Sequence, residues 1–307
     1  MVLRQILAVV DFSVPGIHAA WRAARLAWSH GAELRLITLV EPLDSHPASR
    51  FGPGAPPVRA HADLSFLAEE IGAALGVRTA VSVGAGTDAQ EALHRAARAA
   101  DLVVVPAEAA VPGLRGRLQG AWAERLLRAA GVPVLICRRP SGVPYRHALV
   151  AFDPAEQRTA PALLHMARWF CEEHEISACH VMSTDTERHL HAADLPLPAV
   201  QAWLETARVR AQVAVSEQLA HAGLPRARGV VVHGEPVSRL ALEQARTEAS
   251  LLVVGKPRRA WWVDLLRPGL ARRLAQRVRC DVLWVPSPGR SAPVARQRLA
   301  PVRPALR

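Results

Sequence analysis

A glycine-containing loop holds the residues whose types and spacing best suit binding chemistry. The loop spans residues 106–120, contains Gly113 and Gly120, and follows the continuous apolar run at 102–105. A helix-like segment begins directly after it, at Ala121. Where a strand ends and a helix begins, backbone N–H groups are exposed and bind phosphates well. The sequence therefore points to a phosphate or nucleotide site in this loop.

A second loop, at residues 256–269, occupies the same position after the apolar run Leu251–Gly255. It opens with three cations, Lys256, Arg258 and Arg259, which could meet an anion. A cluster of like charges is more often part of a solvated surface loop. Both interpretations stay open, and we favour the solvated loop.

The remaining motifs argue against the common catalytic and metal chemistries. There is no Gly-x4-Gly-Lys-Ser/Thr phosphate loop, no Gly-x-Gly-x2-Gly after a strand and no Gly-x-Ser-x-Gly nucleophile elbow. One cluster has metal-ligating residue types: His165, Cys171, His174, Cys179 and His180. Its spacing does not match zinc-binding pairs, so we expect no metal site. Cys137 and Cys280 adjoin apolar runs, which predicts buried packing rather than reactive thiols.

Composition limits the partners and the compartment. The 38 Lys and Arg residues outnumber the 27 Asp and Glu residues, which gives a net charge of +11, and only Lys256 is a lysine. Such an excess of arginine is typical of a GC-rich genome, so we do not read the charge as nucleic-acid binding. The four cysteines lack disulfide-framework spacing, no signal peptide precedes the first strand, and no apolar run approaches the ~20 residues of a membrane span. We therefore expect a cytoplasmic protein with no membrane partner.

Two further features lie in the second half of the chain. Trp261 and Trp262 stand in the loop at 256–269, where they could plug a phosphate pocket, dock onto a partner or pack between the halves. An arginine-rich helix follows, with Arg267, Arg272, Arg273, Arg277 and Arg279. It has no accompanying aromatic platform, so a solvated helix face is favoured over a nucleic-acid contact.

The first half alternates buried strands with helices. Continuous apolar, β-branched runs predict strands covered on both faces, as in parallel sheets joined by right-handed crossovers. The predicted strands are 6–10, 34–40, 77–83, 102–105 and 134–136, and the predicted helices are 19–27, 62–75, Ala89–Ala99 and 121–130. A long Pro- and Gly-rich loop at 41–59 separates the second strand from the second helix.

The second half repeats this order. Its predicted strands are 148–153, 175–182, 229–233, Leu251–Gly255 and Asp281–Val285, and its predicted helices are 160–174, 200–222, 237–247 and 270–278. A polar loop spans residues 183–198. We predict domains at 1–139 and 146–286, a linker at 140–145, and a disordered basic tail at 287–307.

Several short motifs recur in the same order in both halves. They are Ile6-Leu7-Ala8-Val9-Val10-Asp11-Phe12-Ser13, the Gly86 turn before a helix, the strand at 102–105, Gly120 before a helix and Gly131-Val132-Pro133, matched by the segments at 148–153, 234–236, 251–255 and 280–285. This arrangement resembles the universal stress protein family, with two copies in tandem. The resemblance implies an α/β fold of two doubly wound, five-stranded parallel-sheet domains, Rossmann-like and similar to adenine nucleotide alpha hydrolases.

The resemblance also implies an ATP site, whose signature is Gly, two residues, Gly, nine residues, Gly, then Ser or Thr. In the first half Gly120 fits the third glycine, but Ala107 and Ala110 stand at the first two positions and Ala121 replaces the hydroxyl residue. A Cβ at a closely approached position blocks positive φ and crowds a phosphate. The residues that this site would use are Asp11 (at the adenine end), Val40, Gly113, Arg115, Gly120 and Ala121.

In the second half the same counting places Lys256 and Arg259 at the first two glycine positions. Leu270 replaces the hydroxyl residue after Gly269. Asp153 corresponds to Asp11, although aspartate is also a common turn and cap residue. The candidate residues of this half are Asp153, Gly255, Lys256, Arg258 and Gly269.

We therefore expect a non-enzymatic regulatory protein of the stress response, with weak or lost ATP binding and no cofactor. One alternative is an ATP-binding switch, with or without slow hydrolysis, that uses the first half. A second alternative is a sensor of another small molecule or an anion. The two halves are expected to pair within the chain through the strands at 134–136 and 282–285, with a homodimer and an unknown protein partner as further alternatives.

Overall fold

The computed structural model describes residues 3–40, 57–107, 131–140, 142–182, 184, 196–255, 273–274 and 277–286. They belong to two compact units, one ending at Pro144 and the other beginning at Tyr145. The bounds predicted for the domains and the linker stay predictions.

Unit 1 is an α/β layer structure. Its strands are β1 (Gln5–Val9), β2 (Glu33–Val40), β3 (Thr79–Ala85), β4 (Leu102–Pro106) and β5 (Val134–Cys137), and its described helices are α1 (Val14–His30), α2 (Pro57–Leu75) and α3 (Ala89–Ala99). All strand pairs are parallel, in the order β3-β2-β1-β4-β5. This is a doubly wound parallel sheet of five strands, as the family resemblance implies.

Strands β4 and β5 of unit 1 are buried on both faces. Every residue of β4 and β5 lies in the core. Apolar, β-branched side chains on both sides of the sheet exclude water from the backbone ladder and are covered by helices. The two runs singled out in the sequence therefore form β4, beside the central strand β1, and β5, which pairs with β4.

Unit 2 repeats the same topology. Its strands are β6 (Ala148–Ala151), β7 (Ile176–Met182), β8 (Arg228–His233), β9 (Leu251–Gly255) and β10 (Asp281–Val285), and its described helices are α4 (Thr159–Ala167), α5 (Leu197–His221) and α6 (Pro236–Arg246). The pairs are parallel, in the order β8-β7-β6-β9-β10. The first strand of each unit thus lies at the centre of its sheet, which places its carboxyl end at a topological switch point.

In each unit, one side-chain oxygen accepts hydrogen bonds from two backbone N–H groups at the start of the first strand. In unit 1 the backbone N–H groups of Arg4 and Gln5 donate to Oδ2 of Asp101, at 2.8 and 3.0 Å. In unit 2 the N–H groups of Arg146 and His147 donate to Oγ of Ser250, at 2.9 and 3.3 Å. The residue before the fourth strand of each unit therefore satisfies two backbone donors that the sheet leaves unpaired.

Several helix bounds differ from the sequence predictions. The helix predicted at 160–174 ends at Ala167, and a separate 3-10 turn at Glu173–Glu175 follows, closed by a capping box between Glu172 and Glu175. Helix α2 begins at Pro57 and α5 at Leu197, so each helix begins before the end of the loop predicted ahead of it. Proline is favourable in the first turn of a helix because its missing N–H has no intrahelical partner there.

Helix α1 also begins earlier than predicted, at Val14 rather than residue 19. Ser13 caps it, since its Oγ accepts a hydrogen bond from Gly16 N at 3.0 Å. The predicted helix at 121–130, the tryptophan pair and the basic tail lie outside the described residues. No helix of the described ranges is long and apolar enough to cross a membrane.

Candidate functional site

Asp11 stands at the carboxyl edge of unit 1, two residues after β1 ends. Its exposed carboxylate accepts two hydrogen bonds at Oδ1 from Ser13, one from the hydroxyl at 2.6 Å and one from the backbone N–H at 3.1 Å. The side chain is therefore fixed against the start of α1. Asp11 contributes to the cap of a helix as well as presenting a carboxylate to the solvent.

Gly16 makes room for that carboxylate. An ideal Cβ at Gly16 would overlap Oδ1 of Asp11 and lie 3.2 Å from its Cγ and from its backbone N. Any side chain at this position would push Asp11 away from the first turn of α1. The sequence Asp-Phe-Ser-Val-Pro-Gly thus encodes a packed unit in which Ser13 joins the Asp11 carboxylate to the Gly16 N–H.

Val40 ends β2, the strand beside β1, and is opposite Ala85 of β3. The backbone N–H of Val10 donates to the carbonyl of Ile37 at 2.8 Å. Asp11 and Val40 therefore lie beyond the last residue pair that joins β1 to β2, Val9 with Ile37, at the same edge of the sheet. These two predicted site residues are brought to one end of the unit.

Ala107 follows β4 directly and is the first position where the nucleotide signature has glycine. It is only 6% exposed. The methyl group is thus enclosed by the protein at the strand end. The other predicted residues of this half, Gly113, Arg115, Gly120 and Ala121, lie outside the described residues.

In unit 2, Asp153 closes a turn after β6. Its Oδ1 accepts a hydrogen bond from Ala155 N at 3.0 Å, which is the short-range pattern of an aspartate turn. This is the turn role that the sequence raised as an alternative to a ligand contact.

Gly255 ends β9 and lies against helix α4. A Cβ there would be 3.0 Å from Cγ2 of Thr159 and 3.2 Å from Cδ1 of Leu163. These distances are tighter than ordinary van der Waals contact, so a close helix–strand approach accounts for the glycine. Lys256, Arg258 and Gly269 lie outside the described residues.

A buried histidine lies beside Asp153. The ring Nδ1 of His180 is 3.2 Å from the carbonyl oxygen of Phe152. Burial lowers the pKa of His180, and the Phe152 carbonyl and the Asp153 carboxylate oppose this by stabilising the charged ring. The sequence had placed His180 among metal-ligating types. Within the described ranges, no three His, Cys, Asp or Glu side chains gather to hold a metal ion.

Two arginines of the segment 267–279 contact the start of helix α6. Arg273 donates to Oε1 of Glu235 at 3.2 Å, and Arg277 donates to Oγ of Ser238 at 3.0 Å. Burial opposes ionisation of Glu235, but hydrogen bonds from Ser238 and Val237 and the charge of Arg273 give it a lowered pKa. These arginines remain exposed on their solvent side, as the sequence predicts.

Sequence reasoning missed a groove at the edge of unit 2. Its lining comes from β7, β8, α5 and α6, and includes Arg208 and Arg239. Neither arginine belongs to a motif, because the two are brought together only by the fold. The signal that could have suggested it is the Gly-Glu-Pro turn at 234–236, which places a glycine shortly before Arg239.

Comparison with known proteins was made on sequence and on structure. Residues 3–138 and 144–286 each match the model of the universal stress protein family. A comparison with curated proteins finds no match. A universal stress protein from Archaeoglobus fulgidus DSM 4304 is 17% identical with a TM-score of 0.65, and 92% of this chain and 96% of that chain are covered. A functionally unknown protein from Pseudomonas aeruginosa PAO1 is 16% identical with a TM-score of 0.59, and 93% of each chain is covered.

Proposed function

We propose, from the premise that this chain belongs to the universal stress protein family, that it is a non-enzymatic regulatory binding protein of the stress response with weak or lost ATP binding. The fold supplies the switch point at which nucleotides bind in α/β sheets.

The enclosed methyl group of Ala107 carries the proposal. A phosphate-binding glycine offers bare backbone and access to positive φ, whereas alanine adds a Cβ and disfavours that conformation. Here the methyl group lies at the end of β4, the strand beside the central strand β1, with 6% exposure. This supports a site in which backbone amides no longer wrap a triphosphate.

The described candidates of unit 2 support the same conclusion. Asp153 is used in a turn, and the bare Cα of Gly255 is covered by Thr159 and Leu163 of α4. Each residue therefore has a structural reason to be present that does not involve a ligand.

Isothermal titration of the full chain with ATP and Mg²⁺ tests the proposal. We expect no saturable binding in the micromolar range, and no effect of Asp11→Ala. The triple variant Ala107→Gly, Ala110→Gly, Ala121→Ser restores the signature and should raise the affinity for ATP. Micromolar binding by the native chain that is lost on Asp11→Ala would contradict the proposal.

An ATP-binding switch in the first half is the second candidate. The observation in its favour is the exposed carboxylate of Asp11, which lies at the same sheet edge as Val40. Slow release of phosphate from ATP, abolished by Asp11→Ala, would support this function instead.

A further inference from the structure

The groove at the edge of unit 2 is separate from the nucleotide-site candidates. It has a volume of about 520 Å³ and is lined by Met182, Gln201, Leu204, Glu205, Arg208, Val231, Val232, His233 and Arg239. We propose that it binds a small organic anion with an apolar body, such as an aryl or alkyl carboxylate or sulfonate.

The floor of the groove supplies the apolar contacts. Val231 lies inside the edge strand β8 and is 9% exposed, and Met182 ends the neighbouring strand β7. Leu204 closes the groove from the side of α5. Small-molecule sites are typically lined by apolar side chains with a few polar groups that fix orientation.

Arg239 supplies the positive end. Its side chain lies across Gly234, since an ideal Cβ there would be 2.6 Å from Nε and 2.9 Å from Cγ of Arg239. Gly234 has φ of 143°, a region that favours glycine. The missing Cβ of Gly234 thus leaves space for the exposed side chain of Arg239, which lines the groove.

The charges around the groove favour an anion. Arg208 and Arg239 line it with one carboxylate, that of Glu205, so the formal charge of these three groups is positive. Glu205 is 3.7 Å from Arg208, and both side chains are about two-thirds exposed (66% and 64%). Such an exposed pair is weak. Among the described residues, no acidic side chain forms an ion pair with Arg239.

The groove differs in position from the nucleotide site. Gly255 ends β9, whereas His233 ends β8, and β7 and β6 lie between those strands. At about 4.8 Å per strand, the two strand ends are roughly 14 Å apart across the sheet. The groove is therefore displaced from the phosphate end of the nucleotide site, although Met182, which lines it, ends the strand of unit 2 that corresponds to the strand ending at Val40 in unit 1.

Titration of the full chain with 8-anilinonaphthalene-1-sulfonate, followed by fluorescence and calorimetry, tests the proposal. This probe joins an apolar ring system to one sulfonate. We expect one saturable site per chain. Arg239→Gln should weaken binding about tenfold, because a charge-assisted contact is removed, and Leu204→Glu should abolish it by placing a carboxylate on the apolar wall that α5 contributes.

Two controls separate the charge from the fold. Arg210→Gln removes an arginine from the same helix, α5, but outside the groove, and should change the dissociation constant less than twofold. The uncharged analogue N-phenyl-1-naphthylamine should bind Arg239→Gln as it binds the native chain. Circular dichroism melting curves verify that the variants are folded.

Three results would overturn the proposal. One is the absence of saturable binding of the sulfonate probe to the native chain. Another is an unchanged dissociation constant in folded Arg239→Gln. The third is an equal loss of the uncharged analogue in that variant, since this would mean that the arginine supports the fold rather than the anion. None of these results depends on whether ATP binds.

Discussion

The hydroxyl of Tyr145 donates a hydrogen bond to Oδ2 of Asp281 at 2.6 Å. Asp281 begins β10 and has no exposed surface, so its carboxylate depends on partners within unit 2. The ring of Tyr145 also packs edge-on against Phe170, with centroids 5.4 Å apart. The first residue of unit 2 is thereby connected to its last strand.

Tyr145→Phe should therefore destabilise unit 2. The ring and its contact with Phe170 are kept, but a buried carboxylate loses a donor, which costs about 1–3 kcal/mol. Urea unfolding followed by circular dichroism measures the change. A loss below about 0.5 kcal/mol would mean that the bond contributes little.

Arg22 should protect the segment that follows the last strand of unit 1 from cleavage by proteases. It is 3% exposed and donates to the carbonyls of Val143 and Pro140, at 2.7 and 2.8 Å. Arg22→Met keeps the apolar stem and removes both bonds, so trypsin should cleave faster after Arg138. Arg25→Met, on the exposed side of the same helix, is the matched control and should leave the cleavage rate unchanged.

The strands were predictable and some helix ends were not. Residues 102–105 and Leu251–Gly255 are continuous apolar runs whose burial follows from composition alone. In contrast, apolar spacing continues past Ala167 through Phe170 to Cys171, so the sequence gives no sign that α4 has ended.

The candidate site was predictable only where it lies beside a strand. Asp11, Val40 and Gly255 follow apolar runs, and parallel strands bring such ends together. That Asp11 is fixed by Ser13, or that Arg239 lies across Gly234, depends on side-chain packing that no periodicity encodes.

Acid should destabilise unit 2. Burial lowers the pKa of both His147 and His180 from the ordinary 6.5, although Glu175 opposes this at His147. A lowered pKa in the folded state means that the unfolded chain binds the proton first, so stability is full above pH 6.5 and falls as the pH decreases below it. The urea midpoint should fall from pH 7 to pH 5.

The variant His180→Asn should lessen this fall, since asparagine can still donate to the Phe152 carbonyl but does not titrate. His221→Asn, at the exposed end of α5, serves as the control. An identical pH dependence in the native chain and His180→Asn would assign the acid sensitivity to other groups.

Alkali should also destabilise the fold, through Cys179. Burial, with a further contribution from the Glu243 carboxylate, raises the pKa of this thiol from 9.0 to about 12. A raised folded pKa gives stability that is full below pH 9 and is lost as the pH rises through 12. Cys179→Ala should flatten the dependence of the urea midpoint on pH above 9, whatever its effect at pH 7.

The predicted burial of Cys137 and Cys280 is confirmed, and the described cysteines are all buried. The rate of thiol labelling should therefore follow unfolding. Rapid labelling of the native chain at pH 8 would contradict the protection inferred for these thiols.

Asp101 and Ser250, which anchor the first strands of the two units, show how the duplicated halves have diverged. A carboxylate in one copy and a hydroxyl in the other perform the same task, so the duplicated modules have been edited separately while their architecture was preserved. Because the two halves have diverged in this way, the gain or loss of a ligand in one half does not predict what the other half binds. A binding assay on the whole chain would therefore report the combined binding of two halves that can differ.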